Sequence, residues 1–146
     1  MKFSHLAAIL IFSSVLHAAN PQEVTEWTKN TLMTTLSVDF NYNSMDVTKY
    51  RQGFTPYAWN ALSGFLGVYL QQIHAQQLIL HPKFLKTPTI VDSGIASGIQ
   101  FWRVNEEIVL PEIKVKIAFS LIVIATNPTA NGSYIIQNMS MIKEEN

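Results

Sequence analysis

Phe54-Thr55-Pro56-Tyr57-Ala58-Trp59-Asn60-Ala61-Leu62-Ser63-Gly64-Phe65-Leu66 is the stretch on which the reading of the fold turns. A threonine hydroxyl can accept from the free N–H groups of a first helical turn, and the fixed φ of proline suits the first helical position. Trp59, Leu62 and Leu66 then recur at helical spacing, with Phe65 beside them. The stretch predicts a sharply started helix with a heavy aromatic face. It should weaken at Gly64 and Gly67, with Tyr69 to His74 as a further helical turn.

Upstream, Asn20-Pro21-Gln22-Glu23 is a second helix start, with Asn20 as cap, Pro21 at the first position and Glu23 placed for a capping box. The spacing predicts a helix through Phe40, with Val24, Trp27 and Thr31 on one line and Met33, Leu36 and Phe40 on another. Its many threonines are only moderate helix formers, so packing must hold it. Asn41-Tyr42-Asn43 breaks the pattern, and Ser44 to Gln52 reads as a short helix stopped by a left-handed Gly53.

Downstream the period changes. Gln77 to His81 reads as a short strand, and Pro82 and Pro88 bracket a connection carrying Lys83 and Lys86. Thr89 to Ile95 and Ile99 to Val104 read as strands around the glycine-bearing segment 94–98. Asn105-Glu106-Glu107 is a polar interruption before Ile108 to Leu110, and Glu106-Glu107 with Lys114 and Lys116, flanking Pro111, reads as a solvated hairpin face or a partner-docking edge. Ile113 to Thr126 is the clearest strand, since Ile113, Val115, Ile117, Phe119, Leu121 and Val123 alternate with smaller or charged residues. From Ile122 both faces turn apolar, which predicts burial on both sides or cover by helices. Asn127 to Gly132 is a turn, Ser133 to Ile142 the last strand, and Lys143 to Asn146 a solvated tail. Helices followed by antiparallel strands make an α+β fold.

The beginning of the chain reads as an address. Met1 to His5 carries one lysine, Leu6 to Leu16 is apolar apart from Ser13 and Ser14, and Ala18 and Ala19 follow. This is the secretory signal pattern, and the apolar run is about half of the ~20 residues that a membrane span needs. Residues 1–19 are therefore expected as a cleaved signal peptide and 20–146 as one α+β domain with no stable transmembrane segment, the alternative being an uncleaved anchor in the inner membrane. The 146-residue chain has ten basic and ten acidic residues, which argues against a nucleic-acid binder that relies on bulk charge. A hydrophobic content of 48% is ample for a packed core, and the absence of cysteine excludes disulfides, thiolate catalysis and Cys-ligated zinc.

Val38-Asp39-Phe40-Asn41-Tyr42, and Tyr50 followed by Phe54-Thr55-Pro56-Tyr57-Ala58-Trp59, resemble segments of the DotI/IcmL family of type IVB secretion and conjugation proteins. Gly98-Ile99-Gln100-Phe101-Trp102 is similar to one of that family's strands, and the apolar strand at Leu121-Ile122-Val123 falls where the family has one. The resemblance covers roughly residues 25 to 142, and order and spacing carry it. It implies a nuclear-transport-factor-2-like, or cystatin-like, cone: N-terminal helices packed on a strongly curved antiparallel sheet. It also implies a non-enzymatic, periplasmic component of a Gram-negative envelope that binds secretion-system or other envelope proteins, or a second copy of itself. Family members resembling this chain carry a transmembrane helix where this one has a short signal sequence, which points to a soluble exported relative.

Such cones also host isomerase-like enzymes, in which a carboxylate base works beside a tyrosine and a protonated acid. Asp39 with Tyr42 or Tyr50 is the candidate pocket set here, and Asp92 the candidate second acid. The alternative is that Asp39 fixes the junction after the first helix by accepting N–H or O–H bonds. A small-ligand or isomerase-like role is thus the second functional reading. His74 and His81 lack metal-ligand spacing, and no metal or cofactor site is expected. Trp27, Phe40, Thr55, Trp59 and Trp102 are the expected structural anchors.

Overall fold

The computed structural model describes residues 20–42, 48–126 and 134–145. Along them run helices α1 (Pro21–Leu36), α2 (Thr48–Arg51) and α3 (Pro56–Ala75), then strands β1 (Lys83–Ala96), β2 (Ile99–Leu110), β3 (Val115–Ala125) and β4 (Tyr134–Glu145). A 3-10 turn, Pro111–Ile113, joins β2 to β3. The strands form one antiparallel sheet in the order β1-β2-β3-β4, and the fold is α+β.

α1 starts as its sequence predicts, with the Asn20 side chain accepting from the Gln22 N–H at 3.0 Å. It ends at Leu36, short of Phe40, because the Ser37 N–H and hydroxyl both turn back onto the Met33 carbonyl. Beyond it the Leu80 N–H donates to the Val38 carbonyl at 2.8 Å, and Asp39 pairs with Ile79 in an isolated bridge. That bridge is all that forms of the strand expected over Gln77 to His81. The buried line of α1 is Val24, Thr28, Leu32 and Leu36, while Trp27 and Thr31 sit half-buried on its flank. The buried hydroxyls of Thr28 and Thr35 donate to the carbonyls four residues back, both at 2.7 Å, so neither is left unpaired.

α3 runs without interruption across Gly64 and Gly67. Each interior glycine costs about 1 kcal/mol relative to alanine, but Ala58, Trp59, Leu62, Leu66 and Ile73 bury one face and outweigh it. Gly53 does not take the left-handed conformation expected of a helix stop. Its smallness matters instead: a Cβ there would lie 2.7 Å from Thr31 Cγ2 on α1.

β1 is longer than the sequence suggests. It begins at Lys83 and includes Pro88, which falls in a register irregularity between Lys86 and Thr89 of an edge strand. Those are the places in a sheet where a residue lacking an N–H is tolerated. Ser97 and Gly98, with φ of 52° and 78°, close the two-residue hairpin to β2. β2 continues through Asn105-Glu106-Glu107, and β3 begins at Val115 because Pro111–Ile113 and a left-handed Lys114 make the turn.

Burial alternates along β3: Val115, Ile117, Phe119, Leu121 and Val123 point to the helices, while Ile122 and Ile124 are half-buried on the other face. Of the two expectations for this end, burial on both sides or cover by helices, the structure shows burial of one face only, with Ile122 and Ile124 half-buried on the other. α1 lies against β1 and α3 against β4. β4 extends through Glu145, so Lys143 and Glu144, exposed as expected, are ladder residues opposite Ile117 and Lys116 and not part of a tail. The turn expected over Asn127 to Gly132, and residues 44–47 of the second expected helix, lie outside the described residues.

Two substitutions test this packing. Trp59 is 6% exposed and its ring meets Phe54 at 5.8 Å, so Trp59→Ala should cost about 3–5 kcal/mol in urea unfolding. Thr55→Ala should cost about 1–2 kcal/mol, because it removes both a helix cap and a bond to the Gln137 carbonyl.

Candidate functional site

The Asp39 set is only partly brought together. Asp39 Oδ1 accepts from the Asn41 N–H at 2.8 Å, an Asx-type turn. The Tyr42 and Tyr50 rings meet at 5.7 Å in a tilted arrangement. Burial, with a smaller contribution from Tyr50, raises the Tyr42 pKa. Asp92 is exposed on β1 opposite Arg103, while Asp39 sits in the isolated bridge with Ile79. His81 Nδ1 lies 2.8 Å from Glu112 Oε1, which also accepts the His81 backbone N–H at 3.1 Å. No cluster of metal-ligating side chains occurs among the described residues.

The anchors occupy distinct layers. Trp59 and Trp102 are buried, and Trp27 and Phe40 are half-buried against the core. The Tyr134 ring stands between Trp27 and Trp102, at 5.6 Å and 5.7 Å, and so links α1, β4 and β2. Its hydroxyl faces Glu23 at 3.4 Å, so the carboxylate expected for a capping box reaches across to the sheet. Burial raises the Tyr134 pKa, and the Glu23 charge and hydrogen bond add to the rise.

Glu106 is the polar residue that the sequence reading misplaced. It is 2% exposed, and among the described residues neither carboxyl oxygen has a hydrogen-bond partner. Its partner across the ladder is Phe119, on the face that packs the helices. Reading the period of two straight through the polar triplet would have found it, since Trp102, Val104, Glu106, Ile108 and Leu110 are the buried series of β2. Loss of hydration pushes its pKa up to about 8. A carboxyl that stays protonated on the sheet is one component of the isomerase-like arrangement, but among the described residues no tyrosine hydroxyl or other group hydrogen-bonds to this one.

The opposite face of the sheet carries a ladder of alternating charge across all four strands. Lys86 Nζ lies 2.7 Å from Glu107 Oε1, Lys116 Nζ 3.7 Å from Glu107 Oε2, and Lys116 Nζ 2.9 Å from Glu144 Oε2. The hydrogen bond from Lys86 leads the effects that hold Glu107 below the usual carboxylate range, and the bond to Glu144 leads those that raise Lys116. Beside the ladder a shallow recess is floored by the small side chains Ala118, Ser120 and Ser140. Edge strand β1 exposes Leu85, Val91 and Ile95, and Ile99 follows across the hairpin.

No protein-family model matches the chain, and no curated protein matches it. Solved structures do share its fold. The periplasmic domain of DotI aligns with a TM-score of 0.70 at 16% identity, over 86% of this chain and 97% of that one. A periplasmic fragment of TraM aligns with a TM-score of 0.65 at 14% identity, over 87% of this chain and 98% of that one. An IcmL-like type IV secretion system protein from Legionella pneumophila aligns with a TM-score of 0.62 at 10% identity, over 88% and 96%.

Glu106 gives a pH test with a definite sign. A carboxyl whose pKa rises from about 4.5 unfolded to about 8 folded favours the native state fully below pH 4.5. That contribution is lost as pH rises to about 8. Glu106→Gln should therefore flatten the fall in stability over this window, by something on the order of 2–5 kcal/mol relative to wild type. Urea midpoints for both proteins across the window measure it, and identical slopes would mean that the carboxyl ionises freely. The architecture around Glu106, with helices on one face of a four-stranded antiparallel sheet, is the fold of the DotI periplasmic domain, the IcmL-like secretion protein and the TraM fragment.

Proposed function

We propose that this chain is an exported periplasmic protein of the DotI/IcmL type that works by contact with secretion-system or other envelope proteins and catalyses no reaction. One observation carries the reading: two periplasmic domains of DotI and TraM, and a type IV secretion protein, share the fold over nearly their whole lengths. The signal pattern of residues 1–19 supports export, with the 20–146 domain as the mature form. No helix among the described residues is long and apolar enough to cross a membrane.

The surface is consistent with protein contact. β1 is an edge strand, and exposed apolar side chains on an edge suit pairing with another protein. The non-enzymatic reading is supported by the state of its acids. Asp39 is engaged in a turn, and Glu106 is buried with no hydrogen-bond partner among the described residues.

Fractionation and crosslinking in the native cell test both halves of the proposal. The chain should appear in the periplasmic fraction, shortened to begin at Asn20. A photo-crosslinking residue in place of Ile95, which is 75% exposed, should capture a secretion-system protein or another envelope protein. Recovery in the cytoplasm would overturn the localisation, and an unprocessed chain held in the inner membrane would replace the cleaved signal by an anchor. Crosslinks to cytoplasmic proteins alone, or to none, would overturn the interaction role.

A further inference from the structure

A recess between α1, α2 and the start of β4 shares only Tyr50 with the candidate pocket set of Asp39, Tyr42 and Tyr50. Its volume is about 400 Å3, within the range of roughly 300–1,000 Å3 typical of small-molecule pockets. Three half-buried rings, Trp27, Tyr50 and Tyr134, give it apolar walls. Between the rings stand uncharged hydrogen-bonding groups. Among the described residues, the side chains of Gln52 and Thr34 make no hydrogen bond, and the Asn30 amide makes only a 3.5 Å contact to Glu26. Lys49 is the single charged lining residue, and its ammonium lies 5.5 Å from the Tyr50 ring centre. Gly53 lets the chain pass α1 closely enough to form this wall, since a Cβ there would meet Thr31 Cγ2 at 2.7 Å.

We propose that this recess binds a pyranose oligosaccharide. A sugar ring offers a flat C–H face and a rim of hydroxyls, and the lining offers a match for each. Tyrosine and tryptophan combine a large apolar body with a polar tip. The amides of Asn30 and Gln52 both donate and accept, as a hydroxyl rim requires. A purely apolar ligand would strip water from these amides without replacing their hydrogen bonds, at a cost. A cationic ligand would meet Lys49 and find no carboxylate in the lining, and an anion would find only that one exposed lysine. The lining therefore suits a neutral polyhydroxyl compound best. This inference stands apart from the secretion reading, because nothing in it depends on a protein partner.

The test is an NMR titration of the exported chain with two probes, N-acetylglucosamine tetrasaccharide and maltotetraose. At least one should bind saturably at millimolar concentration or below, with the largest amide shifts around residues 30–34 and 49–53. Gln52→Ala and Tyr50→Ala should each weaken binding about tenfold. Gln52 is exposed, so its variant should keep the wild-type melting temperature. Failure of both probes to bind the wild-type protein would overturn the proposal. So would shifts centred elsewhere, or full binding by a folded Gln52→Ala variant. Because the mapping is done on the wild-type chain, a variant that misfolds does not remove the test.

Discussion

The junction between the start of α3 and strand β4 sets the geometry of the whole molecule. The Thr55 N–H donates to the Ile136 carbonyl at 2.9 Å, and the Ile136 N–H donates to the Gly53 carbonyl at 2.8 Å. The Thr55 hydroxyl donates to the Gln137 carbonyl at 2.7 Å while accepting from the Ala58 N–H at 3.3 Å. One residue thus caps a twenty-residue helix and fastens it to the sheet edge. The junction also satisfies backbone groups of β4 that an open edge would leave exposed. Gly53 completes it on the other side, where only a residue without Cβ passes Thr31.

With α3 held there, the two faces of the sheet take different chemistry. The helix-facing side is a continuous apolar layer in which Trp59, Trp102 and the alternate residues of β3 meet. Glu106 is the exception, and an unpaired buried carboxyl remains tolerable only as the neutral acid. The other side needs no apolar cover and carries the Lys86–Glu107–Lys116–Glu144 ladder. That ladder links the two edge strands, β1 and β4, through the two central ones.

This division bears on function. On the readings proposed above, the fold presents two kinds of surface for recognition. One is the β1 edge, with exposed Leu85, Val91 and Ile95, proposed above to meet another protein. The other is the aromatic and amide-lined recess beside α1, proposed above to take a small polyhydroxyl ligand. They lie on different elements, so a partner on the edge and a sugar in the recess need not compete.

Much of the fold was legible in the sequence. Helix starts at Asn20-Pro21 and Thr55-Pro56 are local, because a cap and a proline act within a single turn. The alternation along β3 is equally local, since it reports one buried face. What the sequence could not supply was set by neighbours distant in the chain. Gly64 and Gly67 stay helical because α3 packs on the sheet, and Pro88 sits in a strand because β1 is an edge. Glu106 and Glu107 are adjacent and chemically alike, yet one is buried among apolar groups and the other paired with lysines. The recess is less legible still, since Trp27, Tyr50 and Tyr134 are brought together only by folding. The sequence by itself determined where helices begin and which residues of β3 seek the core, through interactions that span a few residues. The tertiary structure alone decided which acid is buried and which rings share a recess, because burial belongs to the assembled layers and not to any one segment.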